Sequence, residues 1–180
     1  MAAAASLALA NLLPAAQAAG QTPLPRELRH EGVAVRVTSL LADPVTAFLI
    51  GRGFPTDVAR RYSGLCVIRV VLVNENASPA IAYDLRSWRL RRSDGKVVAP
   101  GVREDWLPRW RDAGLGEAAL IGFEWSQFPS RQELHPGDTA LGMVNTGLAP
   151  GSRFDLELNW TAGGSARRTE LKELDCAPAP

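Results

Sequence analysis

The chain is expected to fold as an antiparallel all-β sandwich. Three observations predict it: short segments with period-two hydrophobicity, turn signals between them, and little helical periodicity. A closed barrel is the rival architecture, because period-two patterns do not distinguish the two. At 180 residues the chain is the size of one domain, able to bury a core without metal or many disulfides. Its composition, 46% hydrophobic and 22% charged, is that of a globular rather than a disordered chain. A formal net charge of +1 creates no global field toward nucleic acid or an anionic membrane, so neither is an expected partner.

Residues 1–18 read as a secretory signal peptide. They carry no charged side chain, an apolar stretch runs from Ala2 to Leu13, and Ala16-Gln17-Ala18 offers the small residues of a cleavage site. The n-region departs from the usual pattern in having no Lys or Arg. As an uncleaved anchor the stretch is poor, because Asn11 and Pro14 break it. The expected location is therefore periplasmic or secreted, with no membrane span after cleavage.

Residues 19–31 form an extended lead-in, 32–176 a single sandwich domain, and 177–180 a disordered tail. The first strand is 32–40, with Val33, Val35 and Val37 on one face. An insertion at 43–64 follows, in which Pro55-Thr56-Asp57 starts a short helix that Gly64 ends. Residues 65–73, LCVIRVVLV, are apolar on both faces except Arg69, as a central strand would be. Residues 80–92 read as one long strand, and Ser93-Asp94-Gly95-Lys96 as a hairpin turn leading to Val97 and Val98. The segment 99–134 is irregular and is the second helical or loop insertion. His135 to Asp138 is a turn, and strands follow at 139–145, 152–160 and 168–174. In the second of these, Phe154, Leu156, Leu158 and Trp160 share a face.

Two cysteines, Cys66 and Cys176, suit an oxidising compartment. A bridge between them would staple the chain end to the core. The alternatives are a buried free thiol at Cys66 and a reactive or partner-linked one at Cys176.

Three segments together resemble the immunoglobulin-like, telokin-like β-sandwich domains of exported bacterial accessory proteins. They are the apolar strand ending in Asn74, DLRSWRLRRSDGK at residues 84–96, and HPGDTALGMV followed by FDLELNW. The resemblance covers about half of the mature chain. It implies an immunoglobulin-like fold and a role as a binding or accessory module, with no catalytic residues to carry over. The insertions at 43–64 and 99–134 depart from that pattern and are the places to seek local function.

Chemistry-bearing motifs are few. His30, His135, Cys66, Cys176 and Met143 lack the spacing of a copper loop, so no metal or cofactor is expected. There is no Gly-x-Ser-x-Gly elbow and no phosphate-cradling loop. Glu104, Asp105, Asp112, Glu117 and Glu124 leave a hydrolase with a carboxylate pair as a minor reading. Arg86, Arg89, Arg91 and Arg92 point to both faces of their strand, which suits a charged, solvated edge, while Trp88 belongs in the core.

The aromatic residues of the second insertion stand out. Trp106 and Trp110 lie four apart, although Pro108 between them argues against a regular helix. Trp125 and Phe128 follow, and Arg103, Arg109 and Arg111 are interleaved. These residues are either a secondary core over one open sheet face or a groove with an arginine rim. The second alternative makes the chain a non-enzymatic module engaging an envelope protein through 102–128, or a binder of a small ligand or carbohydrate in a groove between insertion and sheet.

Overall fold

The computed structural model describes residues 24–179 apart from 77 and 78. The expected signal at 1–18 lies outside the described residues. The chain is mostly β, with two antiparallel sheets. One sheet runs in the order β1 (Arg26–His30), β2 (Val33–Leu40), β3 (Val67–Asn74) and β8 (Thr139–Asn145). In the other, β9 (Arg153–Ala162) pairs along one side with β10 (Ser165–Asp175). Along its other side lie β4 (Ile81–Asp84) and β5 (Arg89–Arg92), flanked in turn by β7 (Arg131–Leu134) and β6 (Val97–Val98).

Alternation decides what lies between the sheets. Val33, Val35 and Val37 of β2, with Ile68, Val70 and Leu72 of β3, face Leu90, Phe154, Leu156 and Leu158 in one continuous core. Within it Trp88 is fully buried and donates its indole N–H to the Asn159 carbonyl at 3.1 Å. Cys66 and Cys176 are disulfide-bonded, joining the start of β3 to the end of β10 across 110 positions. Packing continues to Ala177, which is buried and accepts a hydrogen bond from the Gly151 N–H.

Both insertions become helical. The first is α1 (Ala42–Ile50) and α2 (Thr56–Ser63); the second is α3 (Arg103–Asp112) and α4 (Glu117–Ser126). Gly64 ends α2 as expected, and a Cβ there would lie 2.8 Å from the Arg60 carbonyl oxygen. The four helices pack over the outer face of the β1–β2–β3–β8 sheet and enclose a second core. Leu49, Phe54, Tyr62, Trp110 and Phe123 meet Val67 and Met143 of the sheet there. Buried Asn145 ties the layers together, donating from its side chain to the Tyr62 carbonyl at 3.0 Å.

Three expectations are corrected. Part of the lead-in is the edge strand β1; its sequence, RELRH, has no apolar periodicity because it is exposed nearly throughout. Residues 80–92 are two strands separated by a 3₁₀ turn, Leu85–Ser87. The Asp84 carboxylate accepts from the Arg86 N–H and Ser87 Oγ donates to the Asp84 carbonyl, closing a local turn that outcompetes the ladder. The arginines of β5 therefore do not line a sheet edge, because β5 lies between β6 and β9. The third correction is α3, which runs straight through Pro108. That proline costs one backbone hydrogen bond, to the Glu104 carbonyl, whereas Trp106 and Trp110 on the same face stack at 5.1 Å and anchor the helix.

Candidate functional site

The aromatic and arginine residues singled out in 102–128 do not share one surface. Trp110 lies in the helical core, edge-on to Phe54 and Phe123 at 5.8 Å each. Phe128 belongs to the other core, where it packs with Tyr83 and Trp88. Trp106 is half-buried, covers Tyr62 at 5.1 Å, and carries the Arg109 guanidinium 5.0 Å over its ring. Arg103 bridges the two helices of the insertion through Glu104 at 3.0 Å and Glu124 at 3.6 Å. Arg111 is exposed. Trp125 alone of the aromatics stands in solvent, 86% exposed.

The acidic residues of the same segment are tied into structure. Asp105 pairs with Arg86 at 2.9 Å and accepts from the Val102 N–H, capping α3. Burial pushes the Glu104 carboxyl up, but hydrogen bonds from Ser130, its own backbone and Arg103 outweigh it and hold the pKa below its ordinary value. His30 lies beside Glu31 and His135 beside Glu133, both at the surface. Among the described residues no three His, Cys, Asp or Glu gather closely enough to hold a metal ion.

Trp125 marks the rim of a groove of about 680 Å³ between the helices and the sheet. Its floor is the outer face of the sheet. Side chains alternate along a strand, so Val67, Arg69, Val71 and Val73 of β3 point outward while Ile68, Val70 and Leu72 point into the core. The register aligns Thr38, Arg69 and Met143 in one row across three strands, with Arg36, Val71 and Leu141 in the next. The helices cover the end of this face nearest Val67 and Met143 and leave the remainder open.

The walls come from both insertions. From α1 and the turn before it come Leu41, Pro44, Val45 and Phe48; from α4 come Gly122, Trp125 and Ser126. Gly122 permits the close approach of the helices, since a Cβ there would meet the Arg52 side chain at 3.4 Å. Arg52 folds back over the Phe48 ring with its guanidinium carbon 3.4 Å from the centroid. At the rim opposite α1, Leu141 is 63% exposed next to Trp125. Beyond that pair lies a smaller, polar groove of about 460 Å³, lined by Arg103, Glu124 and Gln132 among others.

Sequence reasoning found Trp125 and missed its neighbours Phe48, Arg52, Arg69, Leu141 and Met143. One signal was present: Arg69 is the single charge in the most apolar strand, at an outward position. A groove of this size, mainly apolar with a few cationic groups, has the character of a site for a small molecule. Among the described residues the lining holds two hydroxyls, Ser39 and Ser126, which donate to the Asp175 and Phe123 backbone carbonyls. In comparisons with family models, curated proteins and solved structures, the chain matches none. No helix of the described residues is long and apolar enough to cross a membrane.

Proposed function

We propose that this chain is an exported binding module, periplasmic or secreted, with no chemistry of its own, and that it holds a small apolar ligand between the helical layer and the sheet. The observation carrying this reading is the groove of about 680 Å³ with Trp125 exposed on its rim. Export is supported by the signal-like leader and by the disulfide, which suits an oxidising compartment. The fold is read as an immunoglobulin-like, telokin-like sandwich to which the helical insertions have been added, consistent with a scaffold that carries function in its insertions.

A second reading, engagement of an envelope protein, is favoured by one feature. Of the six large hydrophobic side chains exposed among the described residues, Ile50, Ile121, Trp125 and Leu141 belong to α1, α4 and β8. Such a concentration marks a contact surface as well as a ligand rim.

The test is native mass spectrometry of the protein recovered from the periplasm of an expressing bacterium. The expected result is a chain lacking its leader, short by two hydrogens, and carrying a small organic mass that Leu141→Arg abolishes. An empty groove in fresh periplasmic protein, together with capture of an envelope protein that depends on Trp125, would overturn ligand binding in favour of the second reading.

A further inference from the structure

We propose that the ligand is an apolar carboxylate, one alkyl or aryl chain ending in an anionic head, and that Arg69 is the residue that reads the head. This inference rests on the reading of the groove as a small-ligand site.

The case begins with charge. Arg69 is exposed on the groove floor, between Thr38 and Met143 in its cross-strand row. No ion pair or side-chain hydrogen bond joins it to any described residue. Arg29, Arg36, Arg86, Arg103 and Arg153 each meet a carboxylate, whereas exposed Arg60, Arg111 and Arg168 resemble Arg69 in making no ion pair among the described residues but line no apolar groove. The other cation of the groove, Arg52, donates to the Phe48 carbonyl at 3.3 Å and stacks on the Phe48 ring, again without a carboxylate partner. Among the described residues no Asp or Glu lines the groove.

Two guanidinium groups among apolar walls and without counter-charge are complementary to an anion. Arginine suits the task because its planar fork pairs bidentately with a carboxylate. Apart from Ser39 and Ser126, whose hydroxyls already donate to the Asp175 and Phe123 carbonyls, the rest of the lining is apolar: Leu40, Phe48, Met143 and Leu141 offer hydrocarbon contact, and Trp125 can close over a chain from the rim. The combination excludes a sugar, which would need several polar side chains to satisfy its hydroxyls. It also excludes a cationic amphiphile, which would meet Arg69 and Arg52 as like charges. The smaller groove beyond Trp125, with Glu124 facing Arg103, lacks this one-sided charge and makes no such selection.

The experiment compares three probes with one tail: dodecanoate, dodecanol and dodecyltrimethylammonium, each below its aggregation limit. Binding to the mature, oxidised protein is followed by backbone amide NMR shifts and tryptophan fluorescence. Dodecanoate is expected to shift the amides of Gly122, Leu141 and Met143. It should bind at least about tenfold more tightly than the cationic probe, as a charge-assisted hydrogen bond implies. Arg69→Gln should narrow the gap to the residual preference that Arg52 exerts, and Arg69→Glu should abolish it; both leave the unfolding temperature nearly unchanged, since the side chain is exposed and makes no ion pair among the described residues. Equal binding of all three probes, or an order indifferent to Arg69, overturns the carboxylate assignment while the groove stands as a site. Failure of every probe to shift the groove amides overturns the groove reading itself.

Discussion

The two hydrophobic cores of this protein are built from the same residue types by different rules. Between the sheets, the core is written in alternation: Val33, Val35, Val37, Phe154, Leu156 and Leu158 appear two apart, and each buried side chain implies the next. Under the helices, Val45, Leu49, Phe54, Tyr62, Trp110 and Phe123 come from two insertions separated by strands β3 to β6, and a local period links them only within a helix, as with Val45 and Leu49, never from one insertion to the other. The first core is self-consistent along each strand. The second exists only because both insertions land on one sheet face, and it leaves part of that face uncovered. The groove is the uncovered part.

That contrast can be broken or sharpened in four ways. The largest effect is expected from Cys66→Ser with Cys176→Ser, which releases a loop of 110 residues in the unfolded chain. Chain-entropy reasoning gives a loss of about 4–5 kcal/mol, read as a fall in the denaturant midpoint. Because the bond sits in the sheet core, both cores should melt together in this variant. Phe123→Ala should cost about 3–5 kcal/mol, as for other buried aromatic truncations. Here hydrogen exchange should show α1 to α4 losing protection while β2, β3 and β9 keep theirs. Uniform loss across the chain would show that the cores are one cooperative unit.

Next come the two buried tyrosines, one in each core. Tyr62 donates to Gln127 Oε1 at 2.6 Å, whereas the Tyr83 hydroxyl has no hydrogen-bond partner among the described residues. Tyr62→Phe should therefore cost about 1–3 kcal/mol by leaving the Gln127 oxygen unsatisfied, and Tyr83→Phe should be neutral or stabilising. Burial pushes both hydroxyls well above their ordinary value of 10.0. The folded pKa lies above the unfolded one, so the stability linked to each neutral phenol is complete below pH 10 and is lost as pH rises beyond it. Alkaline titration of the double Phe variant should show a flatter decline than the parent. The smallest effect belongs to Trp125→Ala, expected within about 0.5 kcal/mol of the parent in thermal unfolding, because the side chain packs on little. Trp110→Ala, on the neighbouring helix but buried against Phe123, should behave like Phe123→Ala instead.

Much of the fold was legible. The run at 65–73, apolar on both faces except for Arg69, marked β3 as central, Asp94-Gly95 marked a hairpin, and Pro55 and Gly64 bracketed α2. Strand β1 was not legible, because an exposed edge needs no apolar face to form. The Asp84 turn was missed because the same residues would also fit a continuous strand, and only the shift in register along β9, from Tyr83 opposite Trp160 to Arg89 opposite Glu157, distinguishes the two. Of the site, Trp125 was found among other aromatics, but residue type alone did not separate it from Trp106, Trp110 and Phe128. Burial is a property of what a side chain meets, and their partners Phe54, Tyr62, Tyr83 and Trp88 come from the first insertion and from the segment 81–92.

The sequence by itself determined the mainly β architecture, the position of both insertions and the cysteine pair available for a bridge. These follow from local causes: alternation, turn residues and the limits on backbone angles. Only the tertiary structure decided which tryptophan faces solvent, and which outward side chains of β3 are covered. Those outcomes depend on how α1 and α4 settle over the sheet, where Gly122 lets Arg52 approach and Asn145 ties α2 to β8. Such contacts join positions tens of residues apart, and no short-range pattern encodes them. Arg69 was visible as an anomaly in its strand; that it stands unpaired in an apolar groove is a fact of packing.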